Sequence, residues 1–263
     1  MRKLLSVFML VACAAWGQDE KDAKKEPEKL PSAESVLERF IEVTGGRKAY
    51  ESRTSETIVA KMSMPAQGIE ASLTTHTARD NRQRIVTEFP GIGKIEGGSD
   101  GQVYWEKSAV QGARIRKGDE LPQARRQATM NAPIHWRTLY TKVETTGVDA
   151  VEGKPCYALT LTPSEGRPEL ACYDKESGLM VQMKLTLKTQ MGEIPMVTSV
   201  SEYREIEGVK VPHKMTQTVA GQKVEVTVQS VTTNPKLDPD TFKLPDEIVA
   251  LIEKEKAPKP EQK

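Results

Sequence analysis

Histidine and cysteine are scarce in this 263-residue chain, with three of each. His76, His135 and His213 stand far apart, in neither an H-E-x-x-H nor an H-x-H arrangement. No metal site is spelled out, since zinc needs three or four converging ligands. An excess of one charge is missing as well. Lys+Arg is 38 and Asp+Glu is 37, for a formal net charge of +1. That balance supplies neither the basic face from which nucleic-acid binding draws most of its affinity nor a polybasic membrane tail. Aromatic residues make up 5 %, too few for a series of base-stacking platforms. The apolar run Leu4 to Ala12 falls well short of the ~18 residues that cross a bilayer, and no other stretch approaches that length. No repeat with a fixed period is present.

Catalytic motifs are missing in the same way. Gly97-Gly98-Ser99-Asp100-Gly101 has the letters of a nucleophile elbow, but that device needs a strand before it and a helix after it. The strand-like Gln102-Val103-Tyr104-Trp105 follows instead, so Ser99-Asp100-Gly101 reads as a hairpin turn. Gly147 to Lys154 has the wrong glycine spacing for a phosphate loop, and Pro155 replaces the Ser or Thr that would hold magnesium. Acidic residues are spread along the chain with no pair placed for general acid–base work. The expectation is a protein that is not an enzyme and takes no metal and no cofactor.

What is present begins with an export signal. Met1-Arg2-Lys3 is basic and Leu4 to Ala12 apolar, the order of a secretory leader. Two processing routes are open. Ala15-Trp16-Gly17 places small residues before a cut at Gln18, giving a leader of residues 1–17 and a periplasmic product. Leu10-Val11-Ala12-Cys13 instead resembles a lipobox, giving a leader of residues 1–12 and an outer-membrane lipoprotein anchored through an acylated Cys13. Residues 18–31 are Asp, Glu, Lys and Pro with almost nothing apolar. They and the tail 257–263 are expected to be disordered, because they bury too little to repay ordering.

The body, residues 32–256, reads as one domain. Val36, Leu37, Phe40, Ile41 and Val43 recur at helical spacing and predict a helix over Ser32 to Thr44. Ser32 caps its start and Gly45-Gly46 closes its end. A short turn over Arg47 to Ser52 follows. The period then changes to two. Ile58, Ala60, Met62 and Met64 alternate with polar or smaller neighbours, as do Met183, Leu185 and Leu187, and Val224, Val226 and Val228. Such alternation marks strands with one dry face and one wet face, usual in antiparallel sheets. Turn pairs such as Asp80-Asn81, Glu152-Gly153, Glu207-Gly208 and Ala220-Gly221 punctuate it, which predicts a mainly β sandwich or barrel with a few helices. Asp119 to Asn131 is a polar helical interruption with Pro122 in its first turn, and its weak apolar face predicts loose packing. Asp246 to Lys256 is a second, with Ile248, Val249, Leu251 and Ile252 on one side.

Three groups of residues stand out as candidates. Cys156 and Cys172 flank a hairpin turning near Pro163 to Pro168. In an oxidising compartment they would form a disulfide worth about 3 kcal/mol by the chain-entropy argument. Arg114, Arg116, Arg125 and Arg126, with Lys117, are the densest basic cluster. They read either as a solvated face or as a contact for lipid headgroups or an acidic partner. The methionines are the most suggestive. There are ten, two of them in the leader, against four phenylalanines, and flexible thioethers line surfaces that accept varied apolar partners. Plain core filling is the competing reading.

The body also resembles a known family. Val36-Leu37-Glu38-Arg39-Phe40-Ile41-Glu42-Val43-Thr44-Gly45-Gly46 is similar to the first helix of exported bacterial proteins related to the LolA-type outer-membrane lipoprotein carriers. The hairpin Tyr173-Asp174-Lys175-Glu176-Ser177-Gly178-Leu179 and the run Tyr203 to Pro212 continue it. Asp238-Pro239-Asp240-Thr241-Phe242-Lys243-Leu244-Pro245 resembles the closing strand, so the likeness covers about Ala33 to Pro245. The resemblance implies a single curved antiparallel sheet forming an incomplete barrel, with helices in its mouth. It implies an apolar concave face that holds lipid or lipoprotein acyl chains. Met62, Met64, Leu73, Met183, Leu185, Met196 and Met215 are the expected lining. A non-enzymatic sensor or interaction module that binds another envelope protein is the alternative.

Overall fold

Ser32 starts the fold as a helix cap, its hydroxyl accepting the Ser35 amide at 3.2 Å. The computed structural model describes residues 29–189 and 192–257, and the compact unit begins at Pro31. The leader, both cleavage points and Cys13 lie outside the described residues. Helix α1 (Ala33–Val43) buries Val36, Leu37, Phe40 and Ile41. It ends at Gly45 and Gly46, whose φ values are +130° and +82°, and α2 (Arg47–Ser52) follows. Gly45 is needed for a second reason. A Cβ there would overlap the Gly208 carbonyl oxygen, so only glycine lets α1 dock this closely.

The chain then enters an antiparallel meander: β1 (Ser55–Met64), β2 (Ile69–Ala78), β3 (Arg82–Phe89), β4 (Gly93–Asp100), β5 (Tyr104–Ser108) and β6 (Gly112–Ile115). A helical insert holds α3 (Leu121–Gln127) and α4 (Trp136–Leu139). A second meander follows: β7 (Lys142–Val151), β8 (Lys154–Thr162), β9 (Glu169–Asp174), β10 (Met180–Thr189), β11 (Gly192–Ile206), β12 (Val209–Val219) and β13 (Gln222–Thr233). The meanders join where β1 pairs with β13, for example Met62 opposite Val226. The result is one 13-stranded sheet with β6 and β7 at its edges, unclosed. This is the incomplete barrel that the family resemblance implies. Tight turns set the register. Glu152-Gly153, Glu207-Gly208 and Ala220-Gly221 all have positive φ at both residues, the requirement of the turn whose twist matches a hairpin.

Two local expectations change. The nucleophile-like Ser99 and Asp100 are the last residues of β4, and the turn comes after them. Ser99 is buried, and its Oγ accepts the Gly101 amide at 2.9 Å. The insert is also not one helix to Asn131. Helix α3 stops at Gln127, and Asn131 takes a left-handed conformation at φ +54°. A 3-10 turn over Ala132–His135 and α4 then follow. Helix α3 buries the small Ala124, and Ala128 just past its end, near Tyr104. Gln123 fastens it to β10 twice, donating to the Thr186 carbonyl at 3.0 Å and accepting from the Lys188 amide at 3.2 Å.

The main core lies between α1, the insert and one face of β8, β9 and β12: Phe40, Trp136, Leu159, Leu161, Tyr173 and Val209. Phe40 meets Tyr173 edge to face, with centroids 5.4 Å apart. Helix α5 (Asp246–Lys256) buries Ile248, and Lys107 of β5 pairs with its Glu247 at 2.8 Å. Val249 stays 38 % exposed, so the apolar side of α5 is narrower than its sequence suggests.

Cys156 of β8 and Cys172 of β9 are joined by a disulfide at a sequence separation of 16. Reduction should lower unfolding stability by about 3 kcal/mol, the loop-entropy value for a crosslink of this span. Urea unfolding with and without reductant checks this, and a coincident pair of curves would contradict it.

Candidate functional site

Strand register puts every candidate lining residue on one face. Side chains alternate along a strand, so directly paired residues point the same way. Leu73 pairs with Ala60 across β1–β2. From Met62 the pairing runs to Val226, from Val226 to Met215, and from Met215 to Val200. Thr198 faces Met183 and Met196 faces Leu185. Met183 then pairs with Ala171, and Ala171 with the core residue Leu159. Met62, Met64, Leu73, Met183, Leu185, Met196 and Met215 thus share the inner, helix-bearing face. All are half-buried. Met62, Met64, Leu73 and Met215 pack around Ala60, Val224 and Val226 as a second apolar cluster.

A cavity of about 410 Å³ opens where the helices overhang this face. Leu37, Phe40, Trp136, Leu161, Tyr173 and Met183 form its apolar wall. Of the candidates, Met183 lines it and Met64 lines a separate recess. Most of the cavity wall comes from residues that were not expected there. Phe40 was legible in the α1 stripe. Trp136 carried no signal, because its helix follows an unanticipated break. Most polar groups around the cavity are occupied within the protein. The Tyr50 hydroxyl donates to Thr44 Oγ1 at 2.9 Å, and the Tyr203 hydroxyl to the Met180 carbonyl at 2.9 Å. Burial pushes the Tyr173 and Tyr203 phenols well above their ordinary pKa, so both stay neutral. Such a space suits an apolar guest, since it offers few free polar groups.

No protein-family profile and no curated protein matches the sequence. Solved structures do match in fold. A LolA superfamily protein from Nitrosomonas europaea aligns at TM-score 0.53 and 10 % identity, over 82 % of this chain and 99 % of that one. The fold is LolA-like. A DUF1329 family protein from Desulfovibrio piger aligns at TM-score 0.53 and 13 % identity, over 80 % of this chain and 97 % of that one. A domain from Vibrio parahaemolyticus described as outer membrane lipoprotein-sorting aligns at 0.50 and 12 %, over the same shares of each chain.

Within this LolA-like frame, the arginine cluster is largely paired internally. Arg114 bonds Glu106 and Glu120, and Arg116 bonds Glu106. Arg126 pairs with Glu169 at 3.1 Å, and Arg125 is exposed. The cluster braces the insert rather than presenting four free cations. Its most buried part is a latch. Glu169, on β9, takes Arg126 from α3 on one carboxylate oxygen and the Tyr140 hydroxyl on the other, at 2.7 Å. Burial and the facing carboxylate push the Tyr140 phenol far up, so it remains a donor. Among the described residues, Arg53 and Glu56 form a charged pair in the cavity lining, which also includes Lys210. Arg53 is 5 % exposed, and burial pulls its guanidinium pKa down.

The second recess, about 480 Å³, lies at the tips of the β3–β4 and β5–β6 hairpins and includes Met64, Phe89, Ile92, Ile95 and Val110. Ile92, Ile95 and Val110 are 67 %, 50 % and 91 % exposed. Among the described residues no three His, Cys, Asp or Glu side chains are grouped to hold a metal. His76 Nδ1 bonds the Thr57 hydroxyl at 2.9 Å, and His213 Nδ1 lies 2.9 Å from the Val211 carbonyl.

Two measurements test the latch and its neighbours. Glu169→Ala leaves the half-buried Arg126 without its carboxylate and should cost about 3 kcal/mol, near the lower end for breaking such a pair. Chemical denaturation reads it, and a loss below a few tenths would remove the latch from the account. Glu106 is pushed up by burial, but hydrogen bonds from Arg114 and Arg116 outweigh this and hold its carboxyl below the usual range. Such a group adds stability that is complete above its unfolded pKa, about 4.3, and is lost as pH falls through its lower folded value. Stability should therefore fall as pH drops below about 4. Glu106→Gln should lower stability at pH 7 and flatten that decline.

Proposed function

We propose that this chain is an exported envelope protein that binds lipid or lipoprotein acyl chains. Binding would take place in the cavity between α1, the insert and the inner sheet face, with no chemistry performed. The observation that carries this is the 410 Å³ apolar cavity, set on a half-exposed inner face rich in methionine. The likeness to a LolA superfamily protein and to a domain described as lipoprotein-sorting supports the reading at the level of fold. Acyl burial alone supplies affinity, at about 0.8 kcal/mol per methylene. A role in outer-membrane lipoprotein sorting and release into the periplasm both belong to this proposal, with an anchor on Cys13 as the alternative location.

A second reading, a protein-interaction or sensor module, is favoured by the exposed Ile92, Ile95 and Val110 at the hairpin tips. Large apolar side chains grouped in water mark contact surfaces more often than chance.

Native mass spectrometry of protein secreted from a bacterial host and purified without detergent separates the two. Added mass that disappears on organic extraction supports the carrier. A clean mass with one stoichiometric protein partner supports the module. Met183→Asp puts a charge on the cavity wall and should cut lipid retention at least tenfold while secretion and folding persist. Unchanged retention would refute this cavity as the site.

A further inference from the structure

The cavity's volume and its buried Arg53–Glu56 pair narrow the ligand. At about 410 Å³, it stands near the low end of ligand pockets, roughly 300–1,000 Å³. A methylene fills about the same ~30 Å³ that a water takes in the liquid, so the space holds roughly fourteen of them. A triacylated anchor carries several times that. The sheet side of the wall resists expansion. Leu161 and Val209 are at most 2 % exposed, and the disulfide ties β8 to β9 behind them.

Arg53 and Glu56 form a polar corner. Arg53 lines the cavity and is nine-tenths buried. Its Nε–H has no hydrogen-bond partner among the described residues. A buried donor left unmet costs free energy that a guest with an acceptor would recover. The guanidinium is already offset by the Glu56 carboxylate. A neutral carbonyl therefore fits the corner, whereas a second carboxylate would face Glu56 and be repelled.

We infer that the ligand is a single-chain amphiphile: one acyl chain of about fourteen carbons, joined through an ester or amide whose carbonyl accepts from Arg53 Nε. This rests on the lipid-binding reading above and specifies its ligand class.

The test uses the full secreted chain, stripped of lipid, and three probes: 1-monoacylglycerols from eight to twenty carbons, palmitate, and a tripalmitoylated lipopeptide. Binding is read by native mass spectrometry and by displacement of a fluorescent acyl probe. Monoacylglycerols should bind one to one, with affinity rising roughly fourfold per methylene and levelling near fourteen carbons. Palmitate should bind at least tenfold more weakly than monopalmitin at pH 7. Ala132→Leu, which adds three carbons to the lining, should shorten the plateau by about three methylenes; the wild-type series stands without it if that variant fails to fold. Affinity still climbing at twenty carbons, or stoichiometric lipopeptide binding tighter than monopalmitin, overturns the single-chain assignment and leaves lipid binding intact. Palmitate binding as tightly as monopalmitin overturns the neutral-carbonyl assignment. Binding of none of the probes overturns the lipid-binding reading itself.

Discussion

The unpaired edges at β6 and β7 set the terms for the rest of the structure. A sheet that does not close leaves one face to water unless something else covers it. Here the chain spends α1, α2 and the insert on that cover. The insert is the segment that runs between the two edges, so the element that fails to close the barrel by hydrogen bonds closes it by packing. At the α1 end the cover is tight: Phe40 on Tyr173, and Gly45 against the Gly208 turn. Toward the middle of the sheet the cover thins, and methionines take the place of aromatic residues. The cavity lies where tight cover gives way to thin.

Thin cover explains the composition of the inner face. A fully buried strand face would carry branched side chains locked in single rotamers, which pack to native density. Met62, Met64, Met183, Met196 and Met215 are instead unbranched and half-buried, able to change shape around a guest at little rotamer cost. Polar groups are handled differently. The Tyr50, Tyr203 and Tyr140 hydroxyls are given internal acceptors, Thr44, Met180 and Glu169, so they draw in neither water nor polar ligands. Arg53 departs from that rule, its Nε left without an acceptor.

Local features were legible in the sequence; meetings between distant residues were not. The α1 stripe and its Ser32 cap follow from helical spacing and capping chemistry. The paired positive-φ turns follow from their residue types. The common face of the seven lining candidates follows from period-two alternation once strands are granted. None of this says that β1 pairs with β13, roughly 170 residues away, because alternation fixes a strand's faces and not its neighbour. Arg126 likewise looked free, since the carboxylate that neutralises it lies 43 residues on. Its readings, as a solvated face or as a contact for headgroups or an acidic partner, counted charge along the chain and not across the sheet. Trp136 was invisible for a further reason: Asn131 and Pro133 interrupt the helical pattern, and nothing after them restores it over more than one turn.

The two halves of the cover are held by different physics, and this bears on which one can yield. Helix α1 buries four large apolar side chains, each worth about 1.5–3 kcal/mol, on strands stiffened by a disulfide. Helix α3 buries only Ala124, with Ala128 just past its end. Its hold is polar: Gln123 to β10, and Arg126 to Glu169. Hydrogen bonds of that kind exchange for water at a net cost near 1 kcal/mol each, whereas apolar burial has no such substitute. Helix α3 is therefore the weaker part of the roof. A guest that displaces α3 loses little hydrophobic contact, while one that displaces α1 or the insert's Trp136 dismantles the core.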